Sequence, residues 1–107
     1  PSKYVIHTVG PIYKDGKQGE SELLYRAYYN SLKLLAEYNL KTIAFPSIST
    51  GVYAYPKQEA CHIAVKAVMD FVDNEAGIER VMFVLFSKDD YLLYKDILDG
   101  TICNKLD

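Results

Sequence analysis

Thr42-Ile43-Ala44-Phe45-Pro46-Ser47-Ile48-Ser49-Thr50-Gly51-Val52-Tyr53-Ala54-Tyr55-Pro56 is the stretch on which the reading of this 107-residue chain turns. Its first four residues form an apolar run too short for a helix and ended by a proline, which reads as a buried strand. A connector rich in Ser, Thr and Gly follows, and Pro56 stands where a helix favours proline, at its first position. A loop of small residues between a strand end and a helix start lies where open α/β sheets bind ligands.

Working outward, the pattern alternates between strand-like and helix-like segments. Downstream, Ala60, Ala64, Val68 and Val72 repeat every four residues beside Cys61, Val65 and Phe71, predicting a helix that ends before Gly77. Val81-Met82-Phe83-Val84-Leu85-Phe86 is a continuous apolar run, expected to be a strand covered on both faces. Ser87-Lys88-Asp89-Asp90 resembles a capping box opening a last helix, with Leu93, Tyr94, Ile97 and Leu98 inward and Gly100 closing it. Upstream, Leu24, Ala27, Tyr28, Leu35 and Tyr38 share one face of a helix over 21–38, with Ser21 as N-cap, Glu22 in the first turn and Asn39 as stop. Residues 13–19 are polar and read as a loop. Tyr4-Val5-Ile6-His7-Thr8-Val9 is strand-like and halted by Gly10-Pro11. The order β-α-β-α-β-α predicts a layered α/β sandwich with parallel strands and right-handed crossovers.

Composition narrows the function classes. Half the residues are hydrophobic and the net charge is -2, which argues against disorder and against nucleic-acid binding by bulk charge. No apolar run approaches the ~20 residues of a membrane-spanning helix. Two cysteines, Cys61 and Cys103, form no disulfide framework or metal-type pair, which suggests free thiols in a reducing, cytoplasmic setting. The chain enters its first strand directly after Pro1-Ser2-Lys3, so it reads as a piece of something longer.

The loop after Phe45 is the candidate site. Small residues leave backbone N–H groups bare, and with a helix N-terminus these suit an anion, above all a phosphate. Gly51 permits close approach to the main chain, and Tyr53 offers a ring to a sugar. A Ser/Thr turn that merely caps the helix explains the composition equally well. Neither a Walker loop nor a nucleophile elbow is present. Elsewhere, adjacent Cys61 and His62 face different sides of a helix, which disfavours a metal. Cys61 lacks the basic surroundings of a nucleophile. His7 is placed mid-strand, Asp89 and Asp90 suit a first helical turn, and most of the ten tyrosines, Tyr28, Tyr38 and Tyr94 among them, sit at core spacing.

The strings Tyr4-Val5-Ile6-His7-Thr8-Val9-Gly10-Pro11, Leu23-Leu24, Asn30-Ser31-Leu32 and Phe45-Pro46-Ser47-Ile48-Ser49-Thr50-Gly51-Val52-Tyr53 together resemble the carboxyl-terminal part of a macrodomain. The likeness is to the MacroD-type branch, which hydrolyses O-acetyl-ADP-ribose and mono-ADP-ribosyl esters on proteins. It implies a three-layer α/β/α sandwich, here an incomplete β-α-β-α-β-α portion forming a single partial domain over 1–107. It implies ligand binding by Ser47, Ile48, Ser49, Thr50, Gly51, Val52 and Tyr53, whose amides hold a diphosphate while Tyr53 packs on the distal ribose. Phe86 matches an aromatic placed near the adenine. Ala54 departs from the glycine common in relatives, which bears on the turn after Tyr53 because alanine tolerates positive φ poorly.

The resemblance also implies what lies elsewhere. The family's amino-terminal half supplies the adenine-reading aspartate, an asparagine at a strand end and the glycine-rich loop with the catalytic aspartate. None of those strings occurs here, so catalytic residues are expected upstream of Pro1 and these residues alone are expected to be inactive. No cofactor or metal is implied. Three readings follow: an ADP-ribosyl ester hydrolase, a non-catalytic ADP-ribose reader, and an α/β fragment without ligand. The family also places a strand between 4–9 and 43–45. Without it, the two segments pair directly, another chain supplies the strand, or the upstream half is present as a separate piece; direct pairing or a homo-oligomer through the exposed sheet edge is expected.

Overall fold

The computed structural model describes residues 4–8, 10–48, 53–75, 77–85 and 87–106, with side chains through residue 98. Its elements are α1 (Glu20–Glu37), β1 (Thr42–Phe45), α2 (Lys57–Asn74), β2 (Arg80–Phe83) and α3 (Lys88–Leu106). β1 and β2 pair in parallel, Thr42 opposite Arg80 and Phe45 opposite Phe83. A parallel pair needs a crossover, and α2 is that crossover.

The helices form where periodicity placed them, and their ends show the chemistry in detail. α1 opens after Gly19 (φ 75) with no side-chain cap, so Ser21 is not the N-cap but an exposed first-turn residue. The work falls to Glu20, which is 2% exposed. Its Oε2 accepts the N–H groups of Lys14, Asp15 and Gly16 at 2.9, 3.2 and 3.0 Å, and its Oε1 accepts that of Gln18 at 2.6 Å. One carboxylate thus organises the polar loop before the helix. These N–H groups, led by that of Lys14, hold the Glu20 carboxyl down at about 2.

The other end of α1 is a Schellman motif. Asn39 adopts φ 57 and donates to Ala36 at 3.0 Å, while the Leu40 N–H reaches Leu35 at 3.1 Å. Tyr38 is the C-cap and is 62% exposed, so it does not join the core; its ring meets that of Tyr4 edge-on. Pro56, expected at the first helical position, is instead the N-cap of α2, which begins one residue later at Lys57. Ser87 caps α3, its Oγ accepting the Asp90 N–H at 3.1 Å. Gly100 does not end that helix, which runs on to Leu106: a lone glycine costs about 1 kcal/mol and, without a following proline, need not stop a helix.

The core lies between the helices and one face of the sheet. Leu24, Tyr28, Leu32 and Leu35 of α1 pack with Ala60, Cys61, Ala64, Val65, Ala67 and Phe71 of α2. Small residues on α2 let the two axes approach. Phe45, Phe83 and Tyr94 close the cluster: the Phe45 and Phe83 rings stack at 6.2 Å, and Tyr94 sits 5.0 Å from Phe83. Burial lifts the Cys61 thiol to about 12, as befits an inert core thiol.

Three strand expectations need correction. β2 ends at Phe83, and it alternates between half-buried Val81 and Phe83 and exposed Arg80 and Met82, so it is not covered on both faces. β1 likewise buries only Phe45 fully. The physical reason is that α1 and α3 present Tyr28 and Tyr94 to one face, leaving Ala44, Met82 and Val84 toward solvent. Residues 4–8 form no ladder, with Tyr4 and Val5 exposed, so His7 is not mid-strand and direct pairing of this segment with β1 does not occur among the described residues. Its anchorage is Ile6, which packs half-buried against the core.

Candidate functional site

The parallel pairing sends the segments after β1 and β2 out of the same end of the sheet. The N-termini of α2 and α3 return to that end, where Lys57 and Asp90 meet at 3.2 Å. Two helix starts therefore converge beside the loop after Phe45, an arrangement suited to an anion. Of the residues read as ligand-binding, Ser49, Thr50, Gly51, Val52 and Phe86 lie outside the described residues. Ser47, Ile48 and Tyr53 are described, and they mark both stems of the loop.

The leading stem is held by a tyrosine. Tyr28 is fully buried on α1, its ring 5.0 Å from Phe45. Its hydroxyl accepts the Ile48 N–H at 3.1 Å and donates to the Pro46 carbonyl at 3.4 Å. Tyr94 of α3 is buried beside it, its ring 5.0 Å from Phe83, and Tyr28 and Ser47 lie near enough to bear on its titration. Burial raises the pKa of both phenols, so both stay protonated at neutral pH.

The trailing stem is held from the segment before α1. The Tyr13 N–H donates to the Tyr53 carbonyl at 2.9 Å, and the Tyr13 and Tyr55 rings meet at 4.9 Å. Tyr53 itself is 38% exposed, leaving a ring face available. Ala54 takes φ 60, a left-handed turn that a glycine would accept without strain. The sequence reading missed the stem roles of Tyr28 and Tyr13. The available signal was that a buried tyrosine hydroxyl needs a partner, but which partner depends on the fold.

Stems held at Ile48 and Tyr53, beside the start of α2 on an α/β framework, define an α/β domain with a candidate anion site at a strand end. The chain belongs to the Macro domain family, whose pattern matches residues 1–64. A macro domain-containing protein of Chlorobaculum tepidum is 50% identical over 98 residues, covering 92% of this chain and 57% of that protein. The O-acetyl-ADP-ribose deacetylase of Escherichia coli is 47% identical over 98 residues, covering 92% of this chain and 55% of the enzyme. The Oceanobacillus iheyensis macrodomain solved with ADP superposes with a TM-score of 0.86 at 42% identity, covering 92% of this chain and 51% of that one. The chain spans about half the length of the curated relatives it matches. Its architecture is that of a partial α/β macrodomain.

Proposed function

We propose that this chain supplies the diphosphate-holding part of an ADP-ribose site, and that a protein containing it hydrolyses O-acetyl-ADP-ribose or mono-ADP-ribosyl esters. The observation that carries the reading is the loop from Ser47 through Ile48, Ser49, Thr50, Gly51 and Val52 to Tyr53, anchored at both stems beside the Lys57 end of α2. Main-chain amides of that loop hold the phosphates, Tyr53 supports the distal ribose and Phe86 lies by the adenine. The deacetylase relatives and the relative solved with ADP support the substrate class. A water activated by a carboxylate outside these residues, or by the substrate's own phosphate, attacks the ester. The thiol of Cys61 fits a reducing, cytoplasmic setting, and no described helix is long and apolar enough to cross a membrane.

Calorimetry with ADP-ribose tests the reading. Gly51→Glu adds a side chain and a negative charge toward the diphosphate, and is expected to weaken binding by a few kcal/mol in order of magnitude, ~2–3. Unchanged affinity sinks the assignment. These 107 residues alone are expected not to release ADP-ribose from an O-acetyl ester or a modified protein, because the carboxylate-bearing loop that would stabilise the transition state is not among them. Robust turnover by the purified chain would relocate the active groups to this chain. We also propose that the free edge of β1 supports a homo-oligomer, with sedimentation over a concentration series as the test; a monomer throughout removes it.

A further inference from the structure

Residues 14–19 are all exposed, so apolar packing does not order this segment. Two carboxylates do. Glu20 accepts the N–H groups of Lys14, Asp15, Gly16 and Gln18, at 2.9, 3.2, 3.0 and 2.6 Å. Asp15 accepts the one left over, that of Lys17, at 2.8 Å. Five successive amides are thus committed to acids, four of them to a single side chain that is 2% exposed. The amide just before them has a distant partner: the Tyr13 N–H donates to the Tyr53 carbonyl at 2.9 Å. Tyr13 is therefore tethered on both sides, its own N–H to Tyr53 and the next peptide, through the Lys14 N–H, to Glu20. Its ring is held as well. It meets the buried Tyr55 ring at 4.9 Å, and its hydroxyl lies 2.9 Å from where a Cβ on Gly16 would stand. Across from it, the Tyr53 carbonyl is fixed and Tyr55 is packed in the core, which leaves the Tyr53 ring 38% exposed.

We infer that Glu20 is a positioning residue for the candidate site: by ordering 14–18 it holds Tyr13 against the stem at 53–55, and so sets where the Tyr53 ring stands for the distal ribose. The inference rests on the ADP-ribose reading and adds a determinant of specificity to it. Glu20 touches no ligand and acts through Tyr13. A ring on a fixed stem has less freedom to lose on binding, so freeing the stem weakens the ribose contact. Because the effect runs through Tyr53, a ligand with a distal ribose feels it and a ligand without one does not.

The test uses the full 107-residue chain at neutral pH, as wild type, Glu20→Gln and Gly16→Ala. Val68→Ala, in the core of α2, controls for general destabilisation. Glu20→Gln keeps the shape but removes the charge and turns an amide donor toward backbone donors. Gly16→Ala sets a Cβ against the Tyr13 hydroxyl at φ 78, where alanine fits poorly. Residue-resolved amide exchange by NMR is read alongside calorimetry with ADP-ribose and with ADP. In both loop variants the Tyr13 amide, which Glu20 does not bind, is expected to exchange faster together with those of 14–18. ADP-ribose binding is expected to weaken about tenfold while ADP binding holds, and Val68→Ala is expected to show neither change. In a Tyr53→Ala background, Glu20→Gln is expected to cost no further ADP-ribose affinity. A Tyr13 amide that stays protected overturns the tether. Unchanged ADP-ribose affinity, an equal loss for ADP, or an undiminished loss in the Tyr53→Ala background overturns the positioning role. If the wild-type chain binds neither ligand, the ADP-ribose reading fails for this chain and the ribose role with it, while the exchange data still decide whether Glu20 holds the stem. Should Glu20→Gln not fold, Gly16→Ala, on the exposed loop, decides.

Discussion

Ala54 and Glu20 show how much depends on single residues. Ala54 holds φ 60, a conformation that costs an L-residue with a Cβ about 1–2 kcal/mol. Ala54→Gly removes that cost but adds unfolded-state freedom, so a net gain of about 0.5–1 kcal/mol is expected from denaturant midpoints. An unchanged or lower midpoint would show that the turn is not strained. Glu20 works differently, because its value lies in its charge. Its folded pKa lies at about 2 against an ordinary 4.5, so its contribution to stability is present above pH 4.5 and disappears as pH falls toward 2. Thermal melts should therefore show wild type losing stability across that window. Glu20→Gln, less stable at neutral pH, should show a correspondingly flatter acid limb. Parallel acid limbs for the two proteins would count against the account.

At the scale of elements, the α1–α2 pairing combines apolar packing with one polar cross-link. The Tyr25 hydroxyl of α1 donates to Asp70 of α2 at 2.6 Å, and that bond lifts the tyrosine pKa to about 12. Lys66 also reaches Asp70, at 3.1 Å. The site is only half-buried, so Tyr25→Phe is expected to cost about 0.5–1.5 kcal/mol rather than the larger loss of a fully buried charged bond. A double-mutant cycle with Asp70→Asn reads the coupling directly, and a coupling near zero rejects the cross-link. The helix faces on either side of this bond were legible from the recurrence of Leu24, Ala27 and Tyr28 and of Ala60, Ala64 and Val68. Tyr38 was not, because its position continues the same periodicity one step beyond the point where the helix ends and the core with it.

Across the whole molecule, five acids are held neutral, four of them in the core. Burial raises Cys61 from 9.0 to about 12 and raises Tyr28, Tyr55 and Tyr94 as well, while the bond to Asp70 raises Tyr25 from 10.0 to about 12. Folding favours the protonated form of each, so their contribution is complete below about pH 9 and is lost as pH rises through 12. Melting temperature is expected to fall steeply above pH 9–10, and Cys61→Ala should soften the earliest part of that fall; a flat alkaline limb contradicts the burial. The sequence by itself determined the three helices and the two strands that pair, the inward faces of the helices, the strand-loop-helix junction at 42–56 and the likeness to a family. All of these rest on short-range periodicity, turn residues and local strings. Only the tertiary structure decided that β1 pairs with β2 while residues 4–8 stay outside the ladder, and that one sheet face remains open. It also decided that Glu20 replaces Ser21 at the head of α1 and that the loop stem closes on Tyr28. Strand pairing and hydroxyl partners join residues tens of positions apart, and local propensity carries no information about such distant contacts.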